Sequence, residues 1–146
     1  MNRKVSIVIP VFNEEKDIQN CLETLTSQSY TPLEIIVVDD GSVDLTINKV
    51  KRFHQVKLLT QKHKGPATAR NLGALKSKGE ILVFVDADMT FDKDFVKYIV
   101  RPILKNETIG TFSKQELVAN KDRIWSICWN LNRGIKSNRM LPKDYP

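Results

Sequence analysis

Cysteine is scarce in this chain: two residues in 146, Cys21 and Cys128, far apart. That leaves no disulfide framework and no thiolate metal site to build on. Each falls on an apolar helical face and reads as a reduced core residue. No apolar run is long enough to cross a bilayer, because every strand-like stretch is broken within a few residues. The basic start Met-Asn-Arg-Lys precedes an apolar stretch, Val5 to Val11, too short for a secretory signal. It reads as a first strand, and the protein as cytoplasmic. Repeats, low-complexity tracts and linkers are all missing, so residues 1–146 form one domain with enough chain to bury a core.

The charge is positive and uneven. Residues 1–100 carry 14 Lys and Arg against 13 Asp and Glu, whereas residues 101–146 carry 9 against 4. A basic end beside a neutral body suits an anionic ligand or peripheral contact with an anionic membrane surface. Nucleic acid is not expected as a partner, since the basic residues are dispersed and no aromatic-rich binding motif accompanies them.

Hydrophobic patterning divides the chain into alternating units. Val5 to Val11 is a β-branched strand, with Pro10 expected to mark its end because proline donates nothing to a ladder. A helix follows from about Glu15 to Ser27, with Ile18, Cys21, Leu22 and Leu25 on its core face. Glu34 to Val38 is a second strand, ending in Asp39-Asp40-Gly41. Ser42 or Asp44 can cap a helix that turns Ile47, Val50 and Phe53 inward, and turn or cap chemistry is the expected task of Asp40 and Asp44. Val56 to Thr60 is a third strand. Gly65-Pro66 opens a third helix, reaching about Ser77, with proline at its first position. Ile81 to Val85 is a fourth strand, apolar enough to be buried on both faces. Beyond Asp92, a helix over 94–104 presents Phe95, Ile99 and Ile103. Residues 109–118 alternate like a strand of a mixed sheet. Asn120 can cap a last helix holding Ile124, Cys128, Leu131 and Ile135, with Trp125 and Trp129 one turn apart as core or interface residues.

This order, β-α-β-α-β-α-β with short loops, predicts an α/β fold. Its sheet is mostly parallel, mixed at the edge, and flanked by helices in a Rossmann-like arrangement. Ligands of such sheets bind beyond the carboxyl ends of the strands, where strand order changes. Three of those ends carry polar groups: Asn13-Glu14, Asp39-Asp40, and Asp86-Ala87-Asp88. Alternation points Asp86 and Asp88 the same way. Two like charges that share a face raise each other's pKa unless a cation lies between them. Magnesium takes one or two carboxylates and completes its shell with water and phosphate oxygens, so it is a natural partner. The competing reading makes both acids solvated loop residues.

Four blocks, VSIVIPVFNEE from Val5, EIIVVDDGSVD from Glu34, GPATARNLG from Gly65 and ILVFVDAD from Ile81, together resemble the inverting nucleotide-sugar glycosyltransferases of family two. The resemblance implies the A-type glycosyltransferase fold (GT-A). It implies transfer from a nucleotide-diphosphate sugar, probed first as a uridine diphosphate sugar, to an acceptor sugar or lipid-linked glycan. The setting would be polysaccharide or glycoconjugate biosynthesis. It further implies that Pro10, Val11, Asn13 and Glu14 wall the base and ribose. Asp39 would accept from the ring N–H of the base, and Arg70 would lie near the nucleotide. Asp86 would touch the ribose or the metal, and Asp88 would hold Mg2+ or Mn2+ against the diphosphate.

One part of the family pattern is missing. Members place a catalytic base on a later acid, and no residue after Asp92 matches that surrounding pattern. The base is therefore unassigned. Residues 1–92 read as the donor half and 93–146 as the start of an acceptor half, in a domain expected to be truncated. Apolar surface near the end then suggests either a homodimer through residues 101–146 or a disordered tail. Two alternatives stand beside the enzyme: a donor-binding module without turnover of its own, and a phospho-receiver suggested by the Asp39-Asp40 pair. Receivers carry that pair after the first strand, and here it follows the second.

Overall fold

A computed structural model describes residues 2–111. Eight elements follow in order: β1 Val5–Val11, α1 Ile18–Thr26, β2 Leu33–Asp39, α2 Thr46–Val50, β3 Val56–Thr60, α3 Pro66–Lys76, β4 Ile81–Phe84 and α4 Phe95–Leu104. The four strands form one sheet in the order β3-β2-β1-β4, and every neighbouring pair is parallel. The fold is the α/β class expected. The expected mixed edge, the strand over 109–118, falls almost wholly outside the described residues, as do the last helix, Cys128, Trp125 and Trp129. So does most of the expected dimer segment.

The sheet is covered unequally. On one face α1, α2 and α4 pack over Val5, Ile7, Ile9, Val11, Ile35, Val37 and Val83. On the other, α3 lies over Val8, Ile36 and Val38 through Ala69. α3 comes so close that a Cβ at Gly73 would sit 2.3 Å from Val8 Cγ1. A side chain there has no space, which is why a glycine interrupts this helix despite its cost in helix propensity.

Several local expectations change. β1 continues through Pro10 to Val11. Val8 turns its carbonyl to Val85 N and Val11 turns its own to Asp40 N. Two residues beyond Val8, Pro10 therefore turns its missing donor toward β4, which has already ended. α1 starts at Ile18 rather than near Glu15, because Glu14 O first accepts from Asp17 N and Ile18 N in a turn. α2 has five residues, and Val50 and Thr46 are its buried ones. In α4 the buried centre is Val96 and Val100, with Phe95, Ile99 and Ile103 packed around it.

The fourth strand is the largest correction. β4 is buried on one face only: Ile81 and Val83 are covered, while Leu82 and Phe84 are exposed. It pairs with β1 alone among the described residues, and α3 lies over β1 and β2 rather than over it. An apolar run records what a strand is able to bury, not which neighbours cover it.

Candidate active site at the carboxyl edge of the sheet

Strand order reverses between β1 and β4: the chain moves outward through β2 and β3, then returns to the far side of β1. The polar strand ends gather beside this reversal. After β1 the chain turns through Asn13, whose φ of 55° is left-handed, a conformation asparagine tolerates better than most residues. Asn13 N donates to Ser42 Oγ, and Asn13 Oδ1 accepts from Val43 N. Glu14 N donates to Thr46 Oγ1, and Glu15 N donates to Asp44 Oδ2. Asp44 Oδ1 also accepts from Thr46 N, two residues on, a turn bond just ahead of α2, whose N-cap position is Leu45 without a side-chain cap. The loops after β1 and β2 thus brace each other.

Asp39 and Asp40 divide their work differently from the expectation. Asp39, at the end of β2, takes the turn: its carboxylate accepts from Gly41 N and Ser42 N, and the residue is 1% exposed. Asp40 reaches across to the loop after β3. Its Oδ1 accepts from Gln61 Nε2 and Lys64 N, and its Oδ2 from Gly65 N, with His63 Nδ1 3.0 Å from Oδ2. Burial pushes the Asp40 carboxyl up, but these hydrogen bonds and the His63 charge outweigh it and hold the group below its ordinary pKa.

On β4 the alternation of burial runs unbroken from Ile81 to Asp88, so Asp86 and Asp88 are both exposed while Val85 and Ala87 are covered. Arg70 on α3 reaches this end, with Nη2 2.6 Å from Asp86 Oδ1. From the opposite face, the Cys21 thiol lies 3.8 Å from the Asp86 carbonyl. Burial, with Asp88, Asp86 and Glu14 nearby, pushes that thiol up to about 12, which makes it inert. Glu14 is also raised, by burial first and then by Asp88, Asp17, Asp44 and Asp86. The edge therefore gathers Glu14, Asp86 and Asp88, with Arg70 paired to Asp86.

The expected residues come together in part. Glu14, Asp86 and Asp88 lie near one another and Arg70 pairs with Asp86, while Asn13 is tied to the loop after β2. Val11 turns its side chain into the core at 2% exposure, leaving only its backbone for a ligand. Pro10 is half-buried above it. Sequence reasoning missed two rings. Phe12, between Val11 and Asn13, is exposed, and its ring centroid lies 4.2 Å from that of His63. A large aromatic directly after a buried strand was the available signal for Phe12. No local pattern marked His63.

Among the described residues, no three His, Cys, Asp or Glu side chains gather as a metal cage. Asp86 and Asp88 remain as two exposed carboxylates. Such a set fits an ion that draws the rest of its shell from water and phosphate oxygens, and fits no ion that needs a full protein shell.

A parallel sheet of this order, with its polar groups at the strand reversal, defines a nucleotide-binding α/β domain. The chain belongs to glycosyl transferase family 2, whose sequence pattern matches residues 6–145. It is 32% identical over 106 residues to glycosyltransferase GlyA of Streptococcus pneumoniae, covering 70% of this chain and 15% of that protein. It is 39% identical over 89 residues to the uncharacterized glycosyltransferase YibD of Escherichia coli, covering 58% and 26%. Among solved structures, S. aureus TarS 1-349 superposes with a TM-score of 0.66 at 27% identity, over 80% of this chain and 40% of that one. The same protein has been solved with UDP-GlcNAc. The mannosyltransferase PcManGT of Pyrobaculum calidifontis, solved with GDP-Man and Mn2+, superposes with a TM-score of 0.63 at 29% identity, over 69% and 32%. These neighbours bear out the A-type glycosyltransferase fold. The chain spans less than half the length of the curated relatives it matches.

Proposed function

We propose that this chain carries the donor site of an inverting, metal-dependent glycosyltransferase that takes its sugar from a nucleotide diphosphate. The observation that carries the reading is the pairing of Arg70 with Asp86 beside the exposed Asp88, at the strand reversal. One positive and two negative groups at that point suit a diphosphate with its counter-ion.

In this reading Asp88, with Asp86, holds Mg2+ or Mn2+ against the diphosphate. When bound, the ion neutralises charge developing on the leaving group. Arg70 adds a fixed positive charge on the same side. Asn13, Glu14 and Pro10 line the nucleoside end, and the exposed ring of Phe12 gives the base an apolar wall. Asp39 has lone pairs beyond those used by Gly41 and Ser42, which supports a further bond from a ring N–H. A uridine diphosphate sugar is the first donor to try, and a guanosine donor the second. Transfer is a direct displacement by an acceptor hydroxyl.

A second reading is a donor-binding module without turnover of its own, since no general base is assigned among the described residues. The general base that inverting transfer needs contributes about 10²–10⁴ in rate. Of the later acids, Glu107 pairs with Lys105 in the open at the end of α4. Glu116, Asp122 and Asp144 lie outside the described residues. Membrane contact is likewise part of the proposal only; no described helix is long and apolar enough to cross a membrane.

Calorimetry tests the donor site. Uridine diphosphate is expected to bind tighter with Mn2+ than with chelator, and Asp88→Asn to remove the difference. Equal affinity with and without the metal would overturn the metal role. A product assay with labelled donor and an acceptor panel then separates the enzyme from the module.

A further inference from the structure

α4 packs on the sheet face it shares with α1 and α2. Val96 and Val100 are its buried centre, with Phe95, Ile99 and Ile103 beside them. That fixes the side it turns outward. Along the outer side run Lys93, Lys97, Arg101 and Lys105, four residues apart and all exposed. Residues at that spacing are neighbours on one helical ridge. The helix is pinned in this orientation from α1. Gln28 donates to the Asp92 carbonyl through Nε2 and accepts from Val96 N through Oε1, and Ser29 N donates to the Lys93 carbonyl.

The charge on this ridge is uncompensated. Lys105 has Glu107 3.6 Å away. Lys93, Lys97 and Arg101 have no acid within ion-pair distance among the described residues. Like charges at this spacing weaken a helix, and a ridge that only faces water ordinarily alternates their sign. α1, on the same sheet face, exposes Asn20 and Glu23 and carries no cation. The excess therefore belongs to α4 and not to the face as a whole.

Apolar groups flank the cations. Tyr98 is more than half exposed, and Lys97 Nζ lies 5.9 Å from its ring centroid. Ile109, just past the helix, is fully exposed. A cationic ridge with a tyrosine and an aliphatic side chain beside it has the make-up of an interfacial surface: the charges meet lipid phosphates, and the apolar groups enter the headgroup layer. A nucleic acid would use the charges but leave Ile109 in water, and one tyrosine gives it no stacking platform.

We propose that the outer ridge of α4 is the surface by which this chain lies on an anionic lipid bilayer, with Lys93, Lys97 and Arg101 at the phosphates and Tyr98 and Ile109 among the headgroups. The inference rests on the membrane contact in the proposal above and gives it a place on the fold. Lys93 follows Asp88 closely in the chain, and their Cα atoms are at most about 18 Å apart. Docking along α4 keeps the strand ends near the bilayer, where a lipid-linked acceptor would be presented.

The test is flotation of the whole chain with vesicles of phosphatidylcholine alone and of phosphatidylcholine mixed with phosphatidylglycerol. Binding is expected to the mixed vesicles only, and it should fall as salt rises. Lys93→Gln, Lys97→Gln and Arg101→Gln combined should weaken it on the order of 100-fold, since each surface cation contributes a factor of about 5. Glutamine is a good helix former, so this variant should melt no lower than the unmodified chain. The matched control, Lys51→Gln, Arg52→Gln and Lys76→Gln combined, removes the same charge from exposed positions elsewhere and should lose far less. Tyr98→Ser with Ile109→Ser should weaken vesicle binding severalfold and leave retention by a soluble polyanion, dextran sulfate, unchanged. Equal losses in the two triple variants would overturn the proposal in favour of attraction by net charge. Undiminished binding in the α4 variant would put the contact on another surface. Both of those results overturn the ridge and leave membrane contact standing. No binding of the unmodified chain to the mixed vesicles, with or without retention by dextran sulfate, would overturn membrane contact itself and this surface with it.

Discussion

The two faces of the sheet are built to different standards. Under α1, α2 and α4 lies a continuous apolar cluster in which Ile7, Ile9, Ile18, Leu22, Leu25 and Val37 are wholly buried. Under α3 lie Val8, Ile36, Val38 and Ala69, with Leu59 and Leu72 at the margin. Beside that smaller cluster, Leu75, Leu82 and Phe84 remain exposed. Asp86 and Asp88 continue the exposed side of β4, and Arg70 reaches Asp86 from α3. The thick face supplies most of the burial that holds the fold. The thin face carries Arg70, Asp86 and Asp88 of the proposed donor site.

Substitutions on the two faces should separate accordingly. The largest loss is expected in the thick cluster: Leu22→Ala should cost about 2–5 kcal/mol of unfolding free energy in denaturant titration. A loss below ~1 kcal/mol would mean that this cluster is not the main core. Gly73→Ala comes next and loads the thin face. Its methyl would meet Val8 Cγ1 and Val38 Cγ2, and an overpacking cost of roughly 1–3 kcal/mol should follow. A neutral result would show that α3 can lift away from the sheet.

Acid should act mainly through the loops at the site edge. Asp40 and Asp44 are both held below their ordinary value of 3.8, each against the upward push of burial: Asp40 by the Gln61, Lys64, Gly65 and His63 contacts, Asp44 by bonds from Thr46 and Glu15. The unfolded chain therefore takes up these protons first. The stability they contribute is present above pH 3.8 and is lost as pH falls through their lower folded values. Glu14 has the opposite sign. Its raised carboxyl favours the fold below 4.5, and that contribution disappears as pH rises through its folded value. A melting series from neutral pH into acid should fall toward the acid end, and Asp40→Asn should flatten it. The smallest effect is expected from Phe84→Ser, below ~1 kcal/mol, because the ring is already about half exposed.

The thick face was the legible one. The β-branched runs of β1, β2 and β3 and the proline that opens α3 fix elements by local rules, and the apolar spacing of α1 identified its buried residues. The acids at the strand ends were legible for a related reason: charge directly after a buried run marks the point where the chain leaves the core and meets solvent or ligand. What escaped depends on contacts far along the chain. Phe12 and His63 lie on loops after different strands, and each is unremarkable in its own segment. Asp40 reads as a turn residue until the loop after β3 folds onto its carboxylate. Exposure of Leu82 and Phe84 depends on what lies beside β4, which the composition of the strand does not encode.

The central claim is that the acidic edge of the thin face holds a nucleotide diphosphate. A crystal structure of this chain with uridine diphosphate and Mn2+ tests it most directly. The metal is expected at Asp88, the diphosphate beside Arg70 and Asp86, and the nucleoside toward Asn13 and Phe12. Nucleotide bound away from Arg70 and Asp88, or on the face covered by α1 and α4, would contradict the claim.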